Sequence, residues 1–250
     1  MPTHETQLSG EAMMITLRYF DISGRAQPLR DVLACSGVPF EDLRLSTADW
    51  LSRRDDPQIA GPHGSLPTLT WNGQTLGETL PIASFLASRL GERDAVDDVS
   101  FSLREGIVSS AYLEVIARLG ELVWASIIYP GADTQHAFAT IVAPRMLAKL
   151  ERIDAHYADA ATLSLPRARP CVADFFAREA LTLVRRVLGG SREGRIRTRL
   201  PHLFELDAWL SSQPALANAR TTRPVAFTAR PDEDAVIAAL RGVDLSDAGV

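Results

Sequence analysis

A proline and a carboxylate–hydroxyl pair carry the clearest chemistry in this chain: Pro67, in Leu66-Pro67-Thr68-Leu69, and Glu78-Thr79 eleven residues further on. Pro67 stands where a loop meets the extended apolar run Thr68-Leu69-Thr70-Trp71. Asn72-Gly73 then turns that run back into Thr75-Leu76-Gly77, the two-residue signal of a tight hairpin. Thr79 opens a segment with Leu80, Ile82, Ala83, Phe85, Leu86 and Leu90 at helical spacing. Pro81 falls in its first turn, where a missing N–H costs nothing. A hydroxyl at a helix start, one residue after a carboxylate and beside a proline-bent loop, suits the grip of a small zwitterion. The helix start draws the anion, and the carboxylate draws the ammonium.

Other residues offer chemistry less openly. Tyr19 ends a short alternating run and reads, on its own, as a half-buried aromatic at a strand end. Ser23 and Arg25 follow it, where a helix begins. Trp50, Arg53 and Arg54 fall in a polar, irregular stretch and read by themselves as a partly buried indole and two solvated cations. Cys35 and Cys171 lie far apart with neither metal-ligand nor CxxC spacing, so a reduced cytoplasmic chain without structural zinc is expected.

These residues need elements to position them, and the chain divides near residue 92. Before it, strand and helix patterns alternate. Met14 to Phe20 alternates as a strand, Gly24 to Ser36 carries helical spacing and stops at Gly37, and Phe40 to Leu45 alternates again. The irregular stretch from Ser46 to Ser65 follows, then the hairpin and the Thr79 helix. The order βαβ, a variable segment and ββα predicts a small α/β domain over residues 14–92, after a loose extension at 1–13. Beyond the charged linker Glu92 to Asp98 the strand patterns vanish. Helices are predicted over Phe101–Trp124, Phe138–Tyr157 (with a kink or break at Pro144), Ala173–Leu188 and Leu203–Leu210. Residues 93–227 thus form an all-helical domain. A tail at 228–250 includes an amphipathic stretch from Asp232 to Arg241, with acids at its start and Gly242 after its end.

Composition narrows the classes. The chain has 250 residues, 46% hydrophobic and 23% charged, with a formal charge of −5. That acidity argues against a nucleic-acid surface, and the arginine runs Arg185-Arg186 and Arg192 to Arg199 read as solvated faces. No apolar run reaches transmembrane length, so no membrane partner is expected.

Four motifs in order resemble the cytosolic glutathione transferases over about residues 14–224, and point to a tyrosine-type, sigma-, alpha-, mu- or pi-like, bacterial member. They are RYFDISGRAQPLRDVLACSGVPFEDLRL, LPTL with its downstream Glu78-Thr79, RPCVADFFAREAL and LPHLFELDAWLSSQPALANARTTRP. The resemblance implies a thioredoxin-like domain followed by an all-α domain, homodimerisation, and glutathione as co-substrate with no metal. Glutathione carries the required zwitterion on its γ-glutamyl end. Tyr19 is then the donor to the glutathione thiolate, with Ser23 as runner-up and Arg25 adding positive potential. A free thiol of pKa ~8.5 is only about 3% ionised at pH 7. A phenol donating to it forms a charge-assisted bond of about 1.5–3 kcal/mol and lowers that pKa by roughly one to two units. Trp50 and either Arg53 or Arg54 (Arg54 preferred) would reach the glycyl carboxylate, Leu66 would offer its backbone, Pro67 would be cis, and Glu78 and Thr79 would hold the γ-glutamyl end.

Two positions depart from the family pattern. Glu78-Thr79 replaces the commoner glutamine and serine, which keeps both an ammonium partner and a hydroxyl. Cys171 replaces the usual hydroxyl cap of the buried helix, which costs that helix about 1 kcal/mol of the usual benefit. A small hydrophobic electrophile would lie over the thiol, against Ile22, Tyr112, Val115, Ile116 and residues near Val225-Ala226-Phe227. Glutathione-dependent isomerase or peroxidase activity on the same site, and a non-catalytic binding role, are the other readings of the pattern.

Overall fold

The computed structural model describes residues 15–129, 133–159, 163, 168–216, 226–228, 230 and 232–246. The expectations for residues 1–14 and for Val225 lie outside the described residues. The first domain is built on a four-stranded sheet in the order β2-β1-β3-β4, comprising β1 (Ile15–Phe20), β2 (Glu41–Leu45), β3 (Thr68–Trp71) and β4 (Gln74–Gly77). β1 runs parallel to β2, with Tyr19 opposite Arg44, and antiparallel to β3, with Leu17 opposite Leu69. The right-handed crossover expected of a parallel pair is supplied by α1 (Gln27–Ser36), which ends at Gly37 with φ 73°. Asn72 and Gly73 both take positive φ, 48° and 79°, as a two-residue hairpin of this hand requires.

The stretch read as irregular contains short helices, α2 (Thr47–Arg53) and α3 (Pro57–Ala60). α2 buries none of its residues fully, so it has no apolar stripe to announce it. It is held instead by a capping box in which Ser46 and Asp49 satisfy each other's backbone N–H groups. α4 (Thr79–Arg89) packs back on the sheet, burying Ile82, Ala83 and Leu86 beside Leu17, Leu33 and Leu69.

The remaining described elements are helical. α5 (Asp98–Ala111) continues through a widened turn at Tyr112–Ile116 into α6 (Ala117–Ile128). α7 (Thr134–Ala137) likewise passes through a wide turn at Phe138–Val142 into α8 (Ala143–Ala158). That wide turn lies just before Pro144 and absorbs its missing N–H, so the helical path neither stops nor breaks there. α9 (Val172–Leu188) is the centre of the molecule, with 14 of its 17 residues buried. It buries even Asp174, Arg178 and Glu179 along with its apolar face, and packs between α1 and the other helices in one core continuous with the sheet. Its start is capped by Asp174, whose Oδ2 accepts from the Cys171 N–H at 2.7 Å and whose Oδ1 accepts from the Tyr157 hydroxyl at 3.1 Å. α10 (Glu193–Arg199), unforeseen in the sequence, α11 (Pro201–Ser211) and α12 (Glu233–Arg241) complete the described helices.

Candidate functional site

A small cluster separate from the main core gathers residues from distant parts of the chain. Tyr19, Ile22, Ala26, Leu45, Ile59 and Leu66 pack together, with Phe20, Trp50 and Ala226 against them. Tyr19 from the end of β1, Trp50 from α2 and Leu66 from the loop before β3 therefore meet in one place. The Phe20 ring stands edge-on to both Tyr19 and Trp50, at 5.4 and 6.1 Å.

Tyr19 is 6% exposed, and its phenol oxygen accepts the backbone N–H of Arg25 at 3.1 Å. With that lone pair engaged, the phenol proton is left to be donated. Burial pushes the phenol pKa up, opposed more weakly by the Arg25 N–H and by the charges of Arg25 and Arg30, so the group stays a neutral donor. The loop after Tyr19 can take this path only because residue 24 is glycine. Its φ is +42°, and a Cβ there would stand 2.7 Å from the phenol oxygen. Arg30, buried in α1, fixes the loop from below. It donates to the carbonyls of Phe20 (3.0 Å) and Ile22 (2.7 Å), pairs with Asp42 (3.0 Å) and lies 5.7 Å from the Tyr19 ring centre.

Ser23, the runner-up donor, is otherwise engaged. Its hydroxyl donates to the Ala226 carbonyl at 2.6 Å and accepts the Ala226 N–H at 2.9 Å. Arg25 is part-exposed and stands 3.6 Å from Glu121 of α6.

On the far side of the cluster the Leu66–Pro67 peptide bond is cis. Glu78 holds φ +70°, a conformation unusual for a residue with a side chain, and its carboxylate accepts the Ser65 hydroxyl at 2.7 Å. Thr79, the first residue of α4, is 1% exposed, and its hydroxyl is buried without a protein partner. A buried unsatisfied hydroxyl at a helix N-terminus is a costly arrangement unless a ligand completes it. Arg53 and Arg54 are both exposed at the end of α2. Arg53 lies near Arg18, whose pKa is lowered mainly by burial and in smaller part by Arg53.

Beside Tyr19 opens a cleft of about 270 Å³ lined by Tyr19, Gly24, Arg25, Ile116, Ala117, Gly120, Glu121, Trp124, Leu183, Phe227 and Thr228. Of the walls expected from sequence, Ile116 and Phe227 line it. Tyr112, Val115 and Ile22 do not: Tyr112 and Val115 are buried in the core, Tyr112 edge-on to Phe176 at 6.4 Å, and Ile22 is packed in the Tyr19 cluster. Tyr112 and Val115 belong to the widened turn itself, of which only the last residue, Ile116, reaches the cleft. A larger hollow, about 340 Å³ between α4, α5 and α9, contains none of the expected glutathione-binding or electrophile-wall residues.

A thioredoxin-like α/β domain followed by helices, with a Tyr19 loop and a cis-proline turn facing one cluster, is the fold class. The solved structures it resembles are glutathione transferases. The sigma-class enzyme of Fasciola hepatica aligns at a TM-score of 0.67 and 22% identity, covering 87% of this chain and all of that one. The transferase of Ascaris lumbricoides aligns at 0.67 and 20%, covering 86% and 100%. Among curated proteins, glutathione S-transferase 4 of Caenorhabditis elegans is 35% identical over 75 residues, 30% of this chain and 34% of that protein. Hematopoietic prostaglandin D synthase of Gallus gallus is 39% identical over 75 residues, 30% of this chain and 36% of that one. Rat glutathione S-transferase alpha-3 is 30% identical over 128 residues, covering 50% and 53%. The chain thus spans about a third to about half the length of these curated relatives. No family model matches it. The curated relatives it matches are named glutathione S-transferases, alpha and mu classes among them, and hematopoietic prostaglandin D synthases. They are animal proteins, and a bacterial origin is not borne out by them. Among the described residues no helix is long and apolar enough to cross a membrane, and no cluster of three or more metal-ligating side chains occurs.

Proposed function

We propose that this protein is a glutathione transferase that activates the glutathione thiol at Tyr19 and adds it to a hydrophobic electrophile in the cleft beside it. The observation that carries the reading is the Tyr19 hydroxyl, which accepts from the Arg25 N–H and keeps its own proton for a ligand at the cleft wall. Glutathione would lie along the first domain. Its γ-glutamyl end would meet the Thr79 hydroxyl at the start of α4 and the Glu78 carboxylate, its cysteinyl backbone would pair with Leu66 beside Pro67, and its glycyl carboxylate would reach Trp50 and Arg54. The thiol loses its proton to solvent and the phenol, still protonated, donates to the thiolate. The sulfur then forms a bond to the electrophilic carbon, and either a leaving group departs with its electron pair or an adjacent double bond or strained ring accepts the pair and then a proton. Arg25 contributes positive potential next to the sulfur. The same reading makes the protein a cytoplasmic homodimer.

The test is glutathione binding by calorimetry, followed by turnover against aryl halides, enones, epoxides and hydroperoxides. Net consumption of glutathione into a thioether supports transfer. Glutathione regenerated unchanged means isomerisation, and a disulfide product means peroxidase chemistry. Failure to bind glutathione at millimolar concentration would refute all three.

A further inference from the structure

Two arginines of the runs that look like solvated surface in the sequence, Arg186 and Arg192, are committed to α12, and this commitment reaches the cleft. At its far end α12 is gripped by Arg192, which donates to the carbonyls of Arg241 and Val243 at 2.6 Å each. Arg241 in turn donates from Nε to the Arg186 carbonyl at 2.9 Å. Ile237 and Leu240, 3% and 1% exposed, bury the helix face in the main core. At the near end sits Glu233, 4% exposed. Its Oε1 accepts from Arg186 Nη2 (2.8 Å) and the Phe227 N–H (3.0 Å). Its Oε2 accepts from the Thr228 N–H (2.6 Å) and the Thr228 hydroxyl (2.9 Å). Phe227 and Thr228 are the two residues of the C-terminal segment that line the cleft, and Ala226 just before them is bonded to Ser23 and Gly24.

We infer that α12 anchors the Phe227–Thr228 wall of the electrophile half of the cleft and that Glu233 is the positioning residue that sets that wall's shape. Glu233 therefore governs which electrophiles are accepted, while thiol activation at Tyr19 is left alone. The inference deepens the transferase reading and rests on it. The physical ground is the count of acceptors. A carboxylate can accept all four bonds at once, whereas an amide in its place turns one oxygen into a donor that faces another donor. The segment 226–228 is held at Ala226 by Ser23 and Gly24, and the placement of Phe227 and Thr228 against the cleft is set by this side chain.

The experiment compares the unmodified full chain with Glu233→Gln, which keeps the volume, and with Asp234→Asn. Asp234 is 91% exposed and touches the same Arg186 without reaching the wall. Three quantities are read: hydrogen exchange at the Phe227 and Thr228 amides, KM and kcat across an electrophile panel, and glutathione affinity with the pH titration of its bound thiol. For Glu233→Gln, exchange at the two amides is expected to quicken about 10- to 100-fold, the loss of a buried charged hydrogen bond. KM for the bulkier electrophiles should rise and the panel's order of preference should change, while glutathione affinity and thiol titration stay where they were. Asp234→Asn should move none of these. Unchanged exchange and an unchanged order of preference in Glu233→Gln would overturn the inference, as would an equal change in glutathione affinity. Should Glu233→Gln not fold, Arg186→Gln, which removes the same ion pair from the other side, is read in the same way. An unmodified chain that binds no glutathione would instead overturn the transferase reading, and the exchange arm would still decide whether Glu233 holds the wall.

Discussion

Replacing Tyr19 by phenylalanine removes one oxygen from the centre of the site, and its consequences can be worked out in order. The donor bond to the thiolate is charge-assisted, about 1.5–3 kcal/mol, so its loss returns the bound thiol by roughly one to two pKa units toward the free value of ~8.5. At pH 6.5 the thiolate fraction, and with it the rate of the chemical step, should fall about 10- to 50-fold. The sign matters for the pH profile. The native site holds the thiol pKa down, so the deficit of the variant is largest at low pH and closes as pH rises past about 9, where the thiol ionises unaided. The native rate should not decline over that range, since burial holds the Tyr19 pKa above its ordinary value. There is also a structural cost, because the Arg25 N–H loses its acceptor. An orphaned donor of this kind costs about 1–3 kcal/mol, a lowering of Tm by several degrees in a chain of this size. The assay is therefore run well below the melting point, with thiolate absorbance of bound glutathione followed against pH beside single-turnover rates. A bound thiol that titrates identically in both proteins would refute the reasoning. So would a rate deficit that persists undiminished at high pH.

Gly24→Ala should cost nearly as much turnover as Tyr19→Phe, because its Cβ would press on the phenol at 2.7 Å from a backbone with positive φ; steady-state kinetics of the double variant should show less than the sum of the two losses, and full activity in Gly24→Ala would count against the Tyr19 geometry. Thr79→Val should leave the melting temperature of the free protein unchanged or slightly raised, since the hydroxyl has no protein partner. It should weaken glutathione binding about tenfold by calorimetry, one ordinary hydrogen bond, and equal affinities would remove Thr79 from the site. Asp174→Ala should destabilise the fold by about 2–6 kcal/mol in a urea titration, one orphaned donor each for the Cys171 N–H and the Tyr157 hydroxyl. A loss below about 1 kcal/mol would mean that the cap is dispensable.

Elements with a one-sided apolar pattern were legible in the sequence, and elements without one were not. β1, the Asn72-Gly73 hairpin, α4, α9 and the amphipathic α12 all carry either the right periodicity or a turn that admits few conformations. α2 buries no residue and α10 buries only Ile196, so neither left a periodic trace, although Ser46 and Asp49 spelled out a cap before α2. The half of the site on the first domain is written locally, in Leu66-Pro67 and Glu78-Thr79. The other half is assembled from single residues of α6, α9 and the C-terminal segment, which no spacing rule connects. Tyr112 and Val115 face the core from within the widened turn, and the cleft is lined instead by Ile116 at its end and the Ala117, Gly120, Glu121 and Trp124 face beyond it. Single-letter spacing does not reveal where a helix takes in an extra residue.

The bonds between Ser23, Gly24 and Ala226 join positions separated by 203 residues in the case of the Ser23 pair. Contacts of such separation close late, because the entropy of the intervening loop has to be overcome before they form. On a ribosome the sheet, α1 and α4 emerge early and can begin to order, but the loop that carries Tyr19 waits for Ala226, 203 residues after Ser23. The reactive end of the first domain is thus finished by a segment synthesised long after it, and a nascent chain holds its chemistry in abeyance until that segment arrives.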